Sequence, residues 1–363
     1  MNSWFQIKWK PLQSENNSLQ SLPSLLPEYI STGLLRTKKF YLKPSMEQKI
    51  LLKQWMGAYR WTYNKVVHTM EQNYINNIEQ ITYSKGRPVW YPLFCEEAKW
   101  LEQMPPNIIY EAMRKASHDY MQCVKLRSQG KPCNLPKCCY KTQRSFYVLG
   151  NTITHNGLYV GRMGRLKTSE PLPDNCKDSR VVREYNRWYL YIPMEIKRQQ
   201  QTENQWRVGA IDPGVRTFAT VFSELGVGKI GSGSFQRLVR LCHSLDKLLG
   251  EIPKSKHKKK RRLKQSSNNM RRLVRNLVED IHYQSLGWLF KKFDALIIPE
   301  CNFTSSVRKI TRRIRKKSVR SLLTWAFATF RDRARYVGER LGKKVYIVNE
   351  AYTSKTANWT GEI

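Results

Sequence analysis

Three carboxylates stand in one kind of local setting. Asp212 closes the apolar run "WRVGAID", Glu300 closes "DALIIPE" and Glu350 closes "KKVYIVNE". Each run is short, rich in β-branched residues and reads as a strand. In an α/β sheet, functional groups collect at the carboxyl ends of the strands. Carboxylates gathered there repel: at about 4 Å a pair costs on the order of 1–4 kcal/mol for effective dielectric constants of 80 down to 20. A divalent cation offsets that repulsion directly. Two Mg²⁺ ions about 3.5–4 Å apart clamp the attacking water and the leaving oxygen of a phosphodiester. Asp212, Glu300 and Glu350 are therefore candidate catalytic and metal-ligating residues. Asp212-Pro213-Gly214 taken alone reads as a turn; the set of three points to a metal site. Gly214 is expected to let backbone and phosphate approach closely.

The charge balance says what such a site would act on. The chain has 363 residues, with 64 Lys+Arg against 28 Asp+Glu, a net charge of +36. That excess repels itself unless a polyanion neutralises it, and nucleic acid is the usual polyanion. The sequence contains no apolar run of about 18 residues and no signal peptide, so an intracellular protein with no membrane partner is expected. "KSKHKKKRRLKQ" (254–265) carries eight basic side chains in twelve residues, and "VRKITRRIRKK" (307–317) carries seven. One such run alone would fit a nuclear-localisation tract. Two runs flanking Glu300 read as phosphate-tracking surfaces, with Lys258, Lys259, Lys260, Arg261, Arg262, Arg312, Arg313, Arg315 and Lys316 as candidate contacts. They supply affinity, not sequence discrimination. Aromatic residues make up 12%, enough for some to offer ring faces to unpaired bases. The eight Cys include no C-x-x-C pair, and "KPCNLPKCC" has no matching second half, so reduced thiols are expected.

Length and a hydrophobic content of 40% allow two or three domains with real cores. Residues 1–34, rich in Ser, Asn and Gln, read as a disordered leader. Residues 35–44 read as a short basic strand. Ser45 and Gln48 then have capping-box spacing, and Leu52, Met56, Tyr59, Tyr63 and Val66 recur at helical spacing. Lys49, Lys53, Arg60 and Lys65 fall outside that stripe and are candidate phosphate contacts. A second helix follows Pro105-Pro106, with Ile109, Met113, Ala116, Tyr120 and Cys123 as its stripe, so 45–140 is a mainly helical lobe. Residues 141–200 are β-rich, with turns at "HNG" and "YNR". The strand at 35–44 is placed to complete their sheet, with the helical lobe inserted. After a polar linker, 206–363 alternates strand and helix. It includes a basic helical zone at 254–293, with Leu273, Leu277, Ile281 and Trp288 on one face, and a further helix at about 318–341. The expected fold class is α/β plus α+β, multidomain.

An ordered set of segments now matches a family. "IDPGVRTF", "IIPECNFTS", "SLLTWAFATFRDR" and "VNEAYTSKTANWTGEI" resemble, in order, the nuclease core of TnpB (OrfB) proteins, the transposon-associated RNA-guided endonucleases. The nearest likeness is to the Fanzor-like subgroup. "KKFYLKPSMEQKILLKQWMGAYRWTYN" and "MPPNIIYEAMRKA" resemble the family's amino-terminal motif and a segment of its helical lobe. The resemblance implies an RNase H-like (RuvC) nuclease at 206–363, a β-barrel wedge domain at 35–44 and 141–200, and a helical recognition lobe at 45–140. It implies Mg²⁺-dependent cleavage, a guide RNA, a double-stranded DNA target and a target-adjacent motif. Asp212 falls on the family's first catalytic Asp and Glu300 on its second carboxylate. Glu350 falls where the Fanzor-like subgroup carries an alternative glutamate, and both glutamates stay open.

Two departures follow from the same comparison. Ala357 and Thr360 occupy the first two cysteine positions of the family's zinc knuckle, which argues against zinc. The sequence ends at Ile363, ahead of the segment with the family's final catalytic Asp. A truncated copy, a frame continued elsewhere, or sufficiency of the three upstream carboxylates are the readings. Function is accordingly expected among three classes: an RNA-guided endonuclease, a cleavage-dead RNA-guided DNA-binding protein, or a conventional transposase.

Overall fold

A computed structural model describes residues 6–11, 34–76, 82–139, 144–197, 199, 207–300, 307 and 315–349. The chain forms two compact units, one of residues 1–34 with 196–363 and one of residues 35–195.

The first described element corrects the reading of 1–34 as a wholly disordered leader. Strand β1 (Ile7–Pro11) pairs antiparallel with the strand at Gly226–Ile230. Ile7 and Trp9 alternate onto the core of the first unit. Trp9 sits 5.6 Å from Trp288 and 6.1 Å from Phe293, ring to ring. Two apolar residues in five are too short a period to stand out in a polar segment, and only the long-range partner makes them a strand. Residues 12–33 lie outside the described residues.

The unit of residues 35–195 begins with β2 (Leu34–Leu42) and α1 (Met46–Ile75). The capping box forms as its spacing requires: the Ser45 hydroxyl accepts from the Gln48 N–H, and Gln48 Oε1 accepts from the Ser45 N–H. Then come α2 (Tyr83–Glu97), a 3₁₀ turn at Lys99–Gln103 and α3 (Pro106–Ser128). β3 (Ser145–Val148), a ribbon of β4 (Ile153–Thr154) and β5 (Gly157–Leu158), and the single turn α4 (Val160–Met163) follow. The unit closes with β6 (Ser179–Glu184) and β7 (Arg187–Ile196), joined at Tyr185-Asn186. The sheet order is β2-β7-β6-β3, so the helices of 46–128 are inserted between strands of one sheet. α1 and α3 pack together through Leu52, Trp55, Val66, Ile109, Met113 and Tyr120. The inner face of the sheet adds Phe40, Phe146, Val181, Trp188 and Leu190.

The other unit continues with β8 (Val208–Pro213), β9 (Ala219–Ser223) and β10 (Gly226–Ile230), then α5 (Phe235–Lys254) and α6 (His257–Lys292). Among the described residues, β11 (Ala295–Pro299), α7 (Lys316–Trp325), α8 (Phe327–Arg340) and β12 (Lys344–Val348) follow. The sheet order is β1-β10-β9-β8-β11-β12. β1, β10, β9 and β8 run antiparallel in sequence, whereas β8, β11 and β12 are parallel. Phe218, Ile281, Leu289, Phe293, Leu296 and Trp325 lie at the centre of the core.

Two helix expectations change. Of the face expected on α6, Leu277 and Ile281 are buried and Trp288 packs on the core, but Leu273 is 43% exposed. Thirty-six residues span about 54 Å, and the apolar core meets only the second half of that length. The expected helix at 318–341 breaks at Ala326, which is left-handed with φ 50°. The Trp325 carbonyl there points to the imidazole of His282, at 2.8 Å.

Candidate active site

Asp212 is exposed near the end of β8, opposite Thr220 of β9. On the other side β8 runs in register with β11, Ala210 beside Ile297. The paired stretch ends there; carried two residues further, the same register would bring Asp212 level with Pro299, which Glu300 follows. Pro299 in turn lies beside Val348 of β12. The backbone of Glu300 is held from two sides. Its N–H donates to the Val348 carbonyl at 3.0 Å, and its carbonyl accepts from Arg331 Nη1 at 2.6 Å. The parallel strands thus end nearly level, with Asp212 and Glu300 emerging from neighbours. Glu350, Arg312 and Arg313 lie outside the described residues, and of Lys316 only the helical backbone is described.

Among the described residues, neither the Asp212 nor the Glu300 side chain has an ion-pair or hydrogen-bond partner, in a chain of 64 cations. The opposite end of the same strands differs. Asp294, just before β11, receives Arg207 Nε at 2.9 Å, Arg207 Nη2 at 3.2 Å and Lys343 Nζ at 3.1 Å. Burial alone would raise its pKa, but these bonds prevail and hold it at about 2. One carboxylate with two cations ties together the starts of three parallel strands.

The loop after Asp212 is fixed by its neighbours. The Gly214 N–H donates to the Phe218 carbonyl at 3.1 Å, and Trp325 Nε1–H donates to the Val215 carbonyl at 3.0 Å. A Cβ on Gly214 would lie 2.6 Å from the Thr217 carbonyl oxygen, so glycine is required by this closure itself. Phe218 beneath is fully buried, stacked on Phe327 at 5.3 Å and edge-on to Phe330 at 5.0 Å.

His282 supports this layer from α6. Arg333 Nη1 lies 3.0 Å from its Nδ1, and a guanidinium only donates, so Nδ1 accepts and Nε2 carries the proton toward Trp325 O. Arg333 also donates to Glu279 at 3.2 Å. Burial pushes the pKa of His282 down to about 4, against the Trp325 carbonyl and together with the charge of Arg333. The imidazole is a neutral strut at physiological pH.

Sequence reasoning named the carboxylates and missed Trp325, Arg331, Arg333 and His282. The first three lie inside "SLLTWAFATFRDR", a segment quoted for its likeness but not read for its side chains. His282 carries no local signal.

The basic candidates separate. Lys258, Lys259, Arg261 and Arg262 are exposed on the first turns of α6, Lys260 is partly exposed, and Arg315 is exposed at the start of α7. Lys49, Lys53 and Arg60 belong to α1 in the other unit; Lys53 is exposed and the other two are partly buried. Lys65 is engaged with Glu97 at 2.6 Å. Among the described residues no three His, Cys, Asp or Glu gather as a metal site, and no helix is long and apolar enough to cross a membrane. The seven described cysteines are free thiols.

Asp212 and Glu300 offer hard oxygen donors, which fit Mg²⁺ and not a thiol-preferring ion.

Comparison with known proteins follows the same lines. The OrfB/IS605 family described as "Helix-turn-helix domain" matches residues 34–79. Over the described part of that span this chain has β2 and one 30-residue helix. "TnpB-like protein L770" of Acanthamoeba polyphaga mimivirus is 23% identical over 410 residues, covering 100% of this chain and 77% of its own. "Putative RNA-guided DNA endonuclease InsQ" of Escherichia coli (strain K12) is 19% identical, covering 90% of this chain and 83% of its own. The solved Cas12f1-sgRNA-target DNA complex aligns with 91% of this chain and 92% of its own at 10% identity, with a TM-score of 0.42. The chain is thus similar over its whole length to a TnpB-like protein, and its residues 34–79 match the OrfB/IS605 helix-turn-helix family.

Proposed function

We propose that the chain is an RNA-guided DNA endonuclease of the TnpB type, and that the six-stranded sheet is its RNase H-like (RuvC) core. The observation that carries the reading is the pair Asp212 and Glu300. They leave adjacent parallel strands at the carboxyl end, and among the described residues neither carboxylate has an ion-pair partner, while Asp294 at the other end is doubly paired. The strand order supports it: three antiparallel strands, β10-β9-β8, continue into parallel β11 and β12. The name carried by the Escherichia coli relative, "Putative RNA-guided DNA endonuclease InsQ", points the same way.

In this reading Asp212, Glu300 and Glu350 would hold Mg²⁺, which would supply Lewis-acid stabilisation of the attacked phosphodiester. Trp325, Gly214 and Phe218 keep the Asp212 loop closed, and Arg331 fixes the backbone of Glu300. Preorganised groups of this kind need little rearrangement during reaction. The cations of 258–262 and Arg315 draw in the phosphate backbone, while a guide RNA would read sequence by pairing. The 35–195 unit would supply the wedge and recognition functions.

The test is to purify the chain from cells carrying its flanking DNA and sequence the nucleic acid that accompanies it. A discrete RNA is expected, with Mg²⁺-dependent cutting of a matching duplex that falls by at least about 10³-fold in Asp212→Ala. Guide-dependent binding without cutting would leave the RNA-guided part and remove the nuclease. Heterogeneous nucleic acid released by salt would remove both.

A further inference from the structure

The 35–195 unit carries cysteines at 123, 133, 138 and 139. Two of them meet across the end of α3. Gly130 is left-handed at φ 69° and turns the chain back. Its N–H donates to the Arg127 carbonyl at 2.9 Å, and the Lys131 N–H donates to the Leu126 carbonyl at 3.0 Å. Residues 131–139 then run without helix or strand. The turn lays Cys133 against Cys123. The Cys123 sulfur lies 3.7 Å from the Asn134 carbonyl oxygen, and the Cys133 sulfur lies 3.5 Å from the same oxygen. A hydrogen bond also joins the two thiols.

The two thiols differ in access. Cys123 is 2% exposed, whereas Cys133 is partly exposed. Cysteines packed for volume alone are buried and inert. Here one sulfur is shut in and its neighbour opens to solvent. Further along, the segment is anchored on α1. Asn64 Oδ1 accepts from the Cys138 N–H at 2.8 Å, and Asn64 Nδ2 donates to the Cys138 carbonyl at 3.0 Å. An S–H group is a weak donor, so the thiol contacts add little grip on α3 while both sulfurs stay reduced.

We propose that Cys123 and Cys133 form a reversible disulfide, made by exchange with a small-molecule disulfide such as that of glutathione. Cys133, as the thiolate, attacks one sulfur of that disulfide. The S–S bond breaks, and one glutathione leaves as a thiolate and takes up a proton. Cys123 then attacks the Cys133 sulfur of the mixed disulfide, and its proton passes to the second departing glutathione. Two protein thiols are oxidised, and one glutathione disulfide is reduced to two thiols. The order follows from access, since a peptide-sized reagent reaches Cys133 and not Cys123. The new S–S bond of about 2.0 Å joins sulfurs that already touch. It closes a loop of eleven residues, 123–133, and with the Asn64 anchor clamps 131–138 between α3 and α1. Excess thiol reopens it. The inference stands on this pair alone and is separable from any role of Asp212.

The experiment uses the full chain, first reduced and then incubated with glutathione disulfide. Remaining thiols are blocked with N-ethylmaleimide, and proteolytic peptides are mapped by mass spectrometry. A Cys123–Cys133 crosslink is expected, and dithiothreitol should remove it. Cys123→Ser should halt the reaction at a glutathione adduct on Cys133, and Cys133→Ser should leave Cys123 unoxidised. The crosslink should raise the melting temperature by about 4–12 °C over the reduced chain. It should slow hydrogen exchange at 131–138 by at least about 5-fold. Neither variant should show these two shifts. A lasting glutathione adduct on Cys133 of the parent overturns the proposal, and so does a crosslink to Cys138 or Cys139 in place of Cys123. A Cys123–Cys133 crosslink that leaves exchange at 131–138 unchanged overturns the clamp.

Discussion

The two sheets of this molecule put their chemistry in different places. In the six-stranded sheet, Ala295, Leu296 and Ile298 of β11 are fully buried, so little of that strand can face a ligand. Polar chemistry is left to the strand ends: Asp294 where the parallel strands begin, Asp212 and Glu300 where they finish. In the four-stranded sheet, β7 alternates buried and partly exposed residues, and its polar and aromatic side chains lie on an open face. A buried parallel strand can act only at its tip, and tips must be held by loops. A half-covered antiparallel sheet can act across its surface, and its pleat does the holding. The strand-end site therefore depends on tertiary props that the open face does without.

The largest expected effect tests that dependence. Trp325 is fully buried and holds Val215 through its indole N–H. Trp325→Ala should destabilise by about 3–5 kcal/mol, and Trp325→Phe, which keeps most of the ring, by about 1–3 kcal/mol for the orphaned carbonyl. Hydrogen exchange should quicken at 208–222 in both variants and stay unchanged at 179–196. Equal loosening of the two sheets would break the comparison.

Acid should single out the same sheet next. His282 has its pKa lowered from 6.5 to about 4 by burial. The unfolded chain takes up this proton first. The stabilisation is therefore complete above pH 6.5 and is lost as pH falls through 4, about 3 kcal/mol in all. Exchange at 277–290 measured between pH 7 and 4.5 should rise with acidity beyond its intrinsic chemistry. His282→Gln should flatten that rise. If the slope survives the substitution, another group carries it.

Legibility in the sequence follows the same division between what is local and what is not. The strands ending at Asp212 and Glu300 declare themselves because a short apolar run terminates in a carboxylate. Ser45 and Gln48 declare the start of α1 because a capping box closes within four residues. α2 contains Pro88 and Pro92, which read as helix breakers, and it is held by burial of Trp90 and Phe94. β1 needs a partner more than 200 residues away, and the break at Ala326 has no Gly or Pro to announce it. The site divides likewise. Its carboxylates are visible by type, but the partners of Trp325 and His282 lie 110 and 43 residues distant, chosen only by the folded core.

A smaller effect separates the two ends of the parallel strands. Asp294→Asn keeps the shape and removes the charge that Arg207 and Lys343 share, and should cost about 1–2 kcal/mol. In the parent this carboxylate contributes fully above pH 3.8, and the contribution is lost as pH falls through about 2. Asp212→Asn should leave stability within about 0.5 kcal/mol, because an exposed carboxylate without a described partner holds nothing in the free protein. A clear loss in Asp212→Asn would mean that the two ends are alike.

The smallest expected effects concern the other unit, where charge alone is at issue. Lys53 and Lys65 both lie on α1, and each is a surface lysine whose replacement by Gln should shift stability by less than about 0.5 kcal/mol. They differ in what already surrounds them. Lys65 sits 2.6 Å from a carboxylate oxygen of Glu97, and among the described residues Lys53 has no ion pair. A phosphate that meets Lys53 gains a free cation and releases a counterion. One that meets Lys65 must first compete with Glu97, or accept a pair with almost no net charge. Lys53→Gln should therefore lower the salt slope of nucleic-acid binding by about one, while Lys65→Gln leaves the slope nearly unchanged. Equal slopes in the two variants would mean that the Glu97 pair opens on binding, and the phosphate-facing set on α1 would then include Lys65.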